Sequence, residues 1–296
     1  MRFLLATLSC AAAVSFASSA RAVDPRMPGT RALGMGGALR GAATGDSALT
    51  LNPSGMSLMR AYVIEGAYGH DSAGGMESNI GRASIVDSTS GFNLAGGVYY
   101  QYLDDKLGEG NHQSGHEGGV ALSLPLGEHI FVGGLVKYLR LTNDFGAPSV
   151  KGFTFDAGIT LKPVGAVTIG MVGQNLVDKH TYRAPRTLGG GITVGATVDF
   201  LLTFDALYDF TSKRDLAGSG GVWSFMGGGE YLFAKRFALR VGGGHRGLTD
   251  AGYIAGGASY IAQIGAIDFG IQQDLGGKPK ETFIGASARL FLPAPE

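Results

Sequence analysis

The chain has 296 residues, of which 51 are glycine, about 17% against roughly 7% in an average protein. Charged residues make 16% and hydrophobic ones 45%, too apolar for a disordered chain, and the glycines keep no three-residue period, which excludes collagen. Lys+Arg and Asp+Glu number 24 each, so no net field is available to hold nucleic acid, and a lone cysteine excludes a disulfide framework or a cysteine metal site.

Residues 1–22 read as a secretory signal peptide. Arg2 supplies the positive start, residues 4–18 form a short uncharged run, and Ala20-Arg21-Ala22 offers a small-residue cleavage site. Cys10 lies inside that run. A lipoprotein cysteine is the alternative, but Leu8-Ser9 precede it in the wrong order. Cleavage after about Ala22 leaves an exported chain without cysteine.

Residues 23–59 lack a clean period. They pass from a Gly-rich box at 31–37 through an Ala-rich stretch at 38–51 to Asn52-Pro53-Ser54-Gly55. Asp46 or Ser47 is placed to cap a short helix through Leu51, which Pro53 stops. As a free tail the segment is oddly apolar. Folded into a lumen, its composition makes sense.

From residue 60 onward the signal is period-two alternation in segments of about ten residues. Fourteen are expected: 60–70, 78–87, 91–102, 117–125, 128–141, 150–162, 165–175, 186–199, 201–211, 222–233, 236–246, 251–261, 264–274 and 280–292. In 201–210, for example, Leu202, Phe204, Ala206, Tyr208 and Phe210 oppose Thr203, Asp205 and Asp209. Val194 falls on the apolar face of its segment and Thr193 on the other. Connections alternate between longer polar ones (103–116, 176–185, 212–221) and tight ones (Gly127, 162–165, 233–236). An even strand number with loops at one end and turns at the other is the pattern of a bacterial outer-membrane barrel. A soluble antiparallel sandwich also alternates. Against it stand the charge-free middle of one face, aromatics such as Tyr102, Tyr138, Trp223 and Tyr231 near segment ends, and a strand count above that of most open sheets. The expected fold is all-β: a 14-stranded antiparallel transmembrane β-barrel over 60–292, with the N-terminal segment 23–59 as a plug and 293–296 as a tail.

The arm's A-L-G-M-G-G-A, D-S-A-L and N-P-S-G-M resemble the start of the FadL-type outer-membrane transport family, and are similar to the related PorV-like barrels. The match lies at Leu33 to Ala38 (with Gly34, Gly36 and Gly37), at Asp46 to Leu49, and at Asn52, Pro53 and Gly55; Ser54 stands where alanine is usual. The resemblance implies a hatch inside the barrel. It also implies passage of hydrophobic compounds through the wall beside a kinked third strand, for which Gly96 and Gly97 are the candidates. Gly-Gly pairs recur in other segments, so plain glycine richness competes with that assignment. The function implied is passive transport of small hydrophobic compounds, fatty acids among the candidates, across the outer membrane. The alternative is a PorV-like scaffold or shuttle for envelope or secreted proteins, and a plain diffusion porin is third. Expected partners are outer-membrane lipids, a small hydrophobic ligand and the barrel-assembly machinery, with no nucleic acid and a monomeric state.

Enzyme chemistry finds no support. There is no G-x-S-x-G, and the glycines of 34–37 do not make a dinucleotide fingerprint after a strand. His112, His116 and Glu117 suggest a metal site only weakly, against a solvated loop. Neither metal nor cofactor is expected. One constellation remains. The tight turns set a register that points Asp205, Glu230, Arg240 and Asp268 inward near one end, with Arg289 beside them. These charges pair with each other or with Arg31 and Arg40 of the arm in one reading, line a solvated pore in a second, and touch ligand in a third.

Overall fold

The computed structural model describes residues 27–292 apart from 90–93, 108–109, 143–148, 198 and 277–278. The signal peptide, the first residues of the arm and the tail 293–296 lie outside the described residues.

Fourteen antiparallel strands close into a ring: β1 (Tyr62–Ala73), β2 (Met76–Asp87), β3 (Ala95–Lys106), β4 (His112–Pro125), β5 (Ile130–Leu141), β6 (Val150–Val164), β7 (Val167–Gln174), β8 (Thr187–Thr197), β9 (Phe200–Asp209), β10 (Val222–Phe233), β11 (Phe237–Arg246), β12 (Ala251–Ile261), β13 (Gly265–Asp274) and β14 (Glu281–Leu292). Each strand pairs with its sequence neighbours, and β1 closes on β14 through Tyr62↔Leu292 to Ala73↔Glu281. Alternation explains the closure. A sheet with an apolar outer face in lipid must leave no unpaired edge, because hydrocarbon offers the backbone no hydrogen-bond partner. Val241, Ile267 and Val120 stand exposed on the outside, while Thr203, Asp205 and Asp268 are buried inside. Aromatic pairs collect towards both ends of the wall. Tyr208 and Trp223 (ring centroids 4.9 Å apart) lie at the loop end, and Phe237 and Tyr260 (5.3 Å) at the turn end.

Three features of the wall depart from the sequence reading. β3 and β4 continue into the stretch expected as a loop, with Lys106 opposite His112, because Asp104, His112, Tyr100 and His116 find partners across the ladder. The β1–β2 connection, at the loop end, is only Gly74-Gly75. Both glycines have positive φ, which a two-residue hairpin turn requires. Thirdly, β7 is short. Its ladder with β6 ends at Ala157↔Gly173, although the Leu176 N–H still donates to Phe155 O at 2.9 Å, and the loop beyond buries Thr181, Arg183 and Ala184.

The arm carries two short helices, α1 (Thr30–Gly34) and α2 (Asp46–Leu51), and a 3-10 turn over Pro53–Leu58. α1 packs on β11 to β14, α2 on β2 and β3, and the 3-10 turn on β3 to β6. Arg40, between the helices, meets β7, β8 and β9. A segment touched by strands from every side of a closed ring lies within it. Met27, Leu33, Met35, Leu39, Leu49 and Met56 are accordingly at most 1% exposed.

Neither Asp46 nor Ser47 caps α2; Gly45 occupies that position and no side chain caps the helix. Asp46 instead faces the Arg82 guanidinium at 2.9 Å with both groups buried. A buried cation left without an anion costs more than an uncapped N–H, so the ion pair takes the carboxylate. Pro53 lies two residues after Leu51, the last of α2, and between them Asn52 accepts the Ser54 N–H at 3.3 Å.

Candidate functional site

Charges on the inner wall organise into anchors for the arm. Glu230 on β10 binds Arg31 of α1 at 2.6 Å and Arg240 of β11 at 2.6 Å. Arg240 reaches Asp268 on β13 at 3.3 Å, Asp268 binds Arg289 of β14 at 2.8 Å, and Ser259 of β12 bridges Arg240 and Asp268. One connected chain of alternating sign thus crosses five strands and ends on the arm. Each carboxylate has at least two cationic partners, which is what makes burial of so many charges tolerable.

Asp205 stands apart from that chain. It is fully buried and accepts the Leu39 N–H (2.9 Å), the Arg40 N–H (2.8 Å) and Arg40 Nη1 (3.1 Å). A third anchor, Arg82, was not singled out by sequence reasoning. It binds Asp46, the Met27 carbonyl (2.6 Å) and Gln101. The signal for it was present, since Arg82 sits on the inward parity of an alternating strand. Wall side chains also take up carbonyls freed at the end of α1: Gln272 Nε2 donates to Leu33 O at 3.1 Å, and Tyr253 Oη to Gly36 O at 2.6 Å.

The motif residues of the arm sit where backbone meets backbone. A Cβ at Gly34 would lie 3.0 Å from Gly257 Cα, and one at Gly36, whose φ is +70°, 2.7 Å from Gly243 N. Gly37 also has positive φ, and a Cβ at Gly55 would overlap the Ala43 carbonyl. Asn52 donates to Arg40 O (3.0 Å) and Thr160 Oγ1 (3.2 Å), which pins the end of α2 to β6. Pro53 abuts β5 at Gly133.

Gly96 and Gly97 do not interrupt their strand. The ladder runs unbroken through both, with Val86 and Ala121 flanking Gly97. What Gly97 provides is room: a Cβ there would meet Leu49 Cδ2 at 2.8 Å and Met56 Sδ at 3.0 Å. Register shifts among the described residues fall at Leu161/Val164 and at Gly195/Thr197.

On the loop side of the arm lies a cavity of about 170 Å³. Leu49, Leu103, Leu207, Met226, Tyr253 and Phe283 give it apolar surface, and Arg40, Arg82, Gln101, Glu117, Lys137 and Asp156 give it polar surface. The polar groups are largely satisfied by one another. Lys137 binds Asp156 at 2.9 Å, Arg183 binds Asp105 at 3.0 Å, and Tyr99 donates to Glu117. Tyr182, Arg183 and Ala184 of the β7–β8 loop form part of its outer margin. That loop is tied to α3 (Ser212–Ala217) through Asp178. Burial opposes the Asp178 charge, but the His180 N–H (2.8 Å) and the Arg214 guanidinium (2.7 Å) outweigh it and hold its carboxyl below the usual range. His112 binds Asp104 and His116 binds Tyr100, and the described residues contain no cluster of three metal-ligating side chains.

No protein-family model matches the chain, and no curated protein matches it by sequence. Solved structures do. The toluene transporter TbuX of Ralstonia pickettii is 14% identical, with a TM-score of 0.66 over 91% of this chain and 99% of its own. A Pseudomonas aeruginosa FadL homologue is 12% identical (TM-score 0.64; 88% and 97%). The Pseudomonas putida toluene transporter TodX is 11% identical (TM-score 0.68; 88% and 96%). This chain has their fold: a closed 14-strand barrel of the FadL type.

Proposed function

We propose that the protein is an outer-membrane channel through which small hydrophobic compounds pass passively, with residues 27–59 as its hatch. The observation that carries this reading is a closed barrel whose lumen holds a pinned arm and, on the loop side of it, a partly apolar cavity. Size supports a compact solute over a long-chain fatty acid, since a cavity of about 150 Å³ suffices for benzene. Two of the proteins that share the fold are named as toluene transporters, so a monoaromatic hydrocarbon is the first solute to try. The charge chain of Glu230, Arg240, Asp268 and Arg289, and the separate Asp205, serve in this reading to hold the hatch through Arg31 and Arg40. The unbroken ladder at Gly96-Gly97 speaks for an exit elsewhere than at that pair. Insertion as a monomer by the barrel-assembly machinery completes the reading.

The test is uptake of radiolabelled toluene by cells whose outer membrane otherwise admits it slowly. Expression of the full chain is expected to raise the initial rate, with hexadecanoate uptake unchanged. A toluene rate equal to that of the empty vector would overturn the proposal.

A further inference from the structure

The outer wall carries a row of residues that neither the hatch nor the cavity uses. On β5 the outward side chains climb towards the loop end as Val136, Tyr138 and Arg140, and on β6 as Phe155, Phe153 and Lys151. The register puts these in three cross-strand pairs: Val136↔Phe155, Tyr138↔Phe153 and Arg140↔Lys151. The order along the wall is therefore aliphatic–aromatic, then aromatic on aromatic, then cation beside cation. The middle pair is an edge-to-face contact with centroids 5.1 Å apart.

Two cations directly opposite on one sheet face have Cβ atoms about 5 Å apart and repel. Neither Arg140 nor Lys151 has an ion-pair partner among the described residues. Other cations near the loop end do have one: Lys106 has Glu77 at 3.6 Å, and Arg214 has Asp178 at 2.7 Å. The row continues sideways, because Arg140 is opposite His116 of β4 and His116 is opposite Tyr102 of β3. His116 holds Tyr100 Oη at Nδ1 (2.7 Å), lies tilted against Tyr102 (ring centroids 5.1 Å apart) and, among the described residues, keeps Nε2 for a further partner.

We infer that Arg140 and Lys151, flanked by His116 and Tyr102, bind a phosphate of a lipid headgroup in the leaflet on the loop side. This rests on the membrane reading proposed above. The charge calls for a compact dianion, which a guanidinium and an ammonium side by side accommodate. The position selects the source. The pair stands on the lipid-facing wall one residue pair beyond an aromatic couple, which is the level where rings meet headgroups. A soluble phosphate would gain nothing from that placement. The loop end is the external one in such barrels, so the lipid is a phosphorylated glycolipid or phospholipid of the outer leaflet.

The test is native mass spectrometry of the full chain in detergent, titrated separately with diphosphoryl lipid A, its dephosphorylated form and inorganic phosphate. Diphosphoryl lipid A is expected to bind, and the double variant Arg140→Ala, Lys151→Ala to weaken it roughly thirtyfold at two surface cations lost. The control Lys213→Ala, Lys280→Ala should bind as the parent does. Equal binding by the Arg140/Lys151 variant and the parent would overturn the site. So would inorganic phosphate binding as tightly as lipid A, or lipid A binding as tightly without its phosphates. A heat-dependent shift in gel mobility verifies that each variant is a folded barrel. The toluene assay separates the two proposals: lipid A binding that depends on Arg140 and Lys151, in a chain that admits no toluene, would remove the transport reading and leave the lipid site.

Discussion

Asp205 accepts three hydrogen bonds from the arm, two of them from consecutive backbone amides, with no exposure to solvent. Asp205→Ala leaves the Arg40 guanidinium buried without its carboxylate and two N–H groups without their acceptor, at an expected cost of about 3–5 kcal/mol. Hydrogen exchange of the Leu39 and Arg40 amides is the measurement, and both should lose protection while the strand amides keep theirs. The outer face obeys different rules. Val241, in the middle of β11, is 69% exposed on the lipid side, and Val241→Arg should cost about 2–4 kcal/mol in refolding titrations into bilayers. Val222→Arg, on the cavity margin, should cost less; equal costs would contradict the assigned faces. Thr193 points inward as its parity requires, yet it is no tolerant site. It is 2% exposed, bonds Thr203 at 3.0 Å and lies where a Cβ on Gly41 would come within 2.9 Å of its hydroxyl.

At the scale of elements, the β7–β8 loop and α3 are two irregular pieces held together by charge. Asp178 accepts from the His180 amide and from Arg214, and these contacts lower its pKa from the ordinary value of 3.8 despite partial burial. A carboxyl whose folded pKa is depressed contributes stability that is fully present above the unfolded value. The contribution is lost as pH falls through the folded value. The loop should therefore stay closed at neutral pH and loosen only in strong acid. Amide exchange across 176–185, followed from pH about 5 to about 2 and referred to the intrinsic rate at each pH, should show the onset below the usual carboxylate range. Asp178→Asn should loosen the loop at every pH. Onset near neutrality would place the control on another group.

On the scale of the whole molecule, the arm and the barrel wall are made for each other. The Met35 backbone occupies space that a Cβ at Gly228 would claim at 2.5 Å, and the Arg40 carbonyl lies against Gly170 in the same way. Small inward residues leave a lumen that strands alone do not fill, since a ring of this size is wider than one packed by its own side chains. Deleting 27–51 should leave a heat-modifiable barrel but admit small hydrophilic solutes. Single-channel conductance in planar bilayers is the check, and the deletion should conduct markedly more than the full chain. No rise would mean that the arm is not what seals the lumen.

Strand number and strand faces were legible in the residues alone, because alternation is a local property: each outward Leu, Val or Phe answers to lipid and each inward Thr or Asp to the lumen, whichever strand lies beside it. The inward direction of Asp205, Glu230, Arg240, Asp268 and Arg289 followed from the same parity, and the end of α2 before Pro53 from proline's missing N–H. Partner choice was not local. Whether Asp205 joins the other four or holds Arg40 alone, and whether Asp46 caps its helix or meets Arg82, depends on which strand closes opposite which part of the arm. The glycines at 96 and 97 illustrate the same limit: a pair of missing side chains reads as weakness along a strand, and only the packed barrel reveals that Leu49 and Met56 need the space. Sequence determined the wall, since lipid and hydrogen bonding act residue by residue. Tertiary structure decided the pairings inside it, since a buried charge takes the partner that closure of the ring brings within reach.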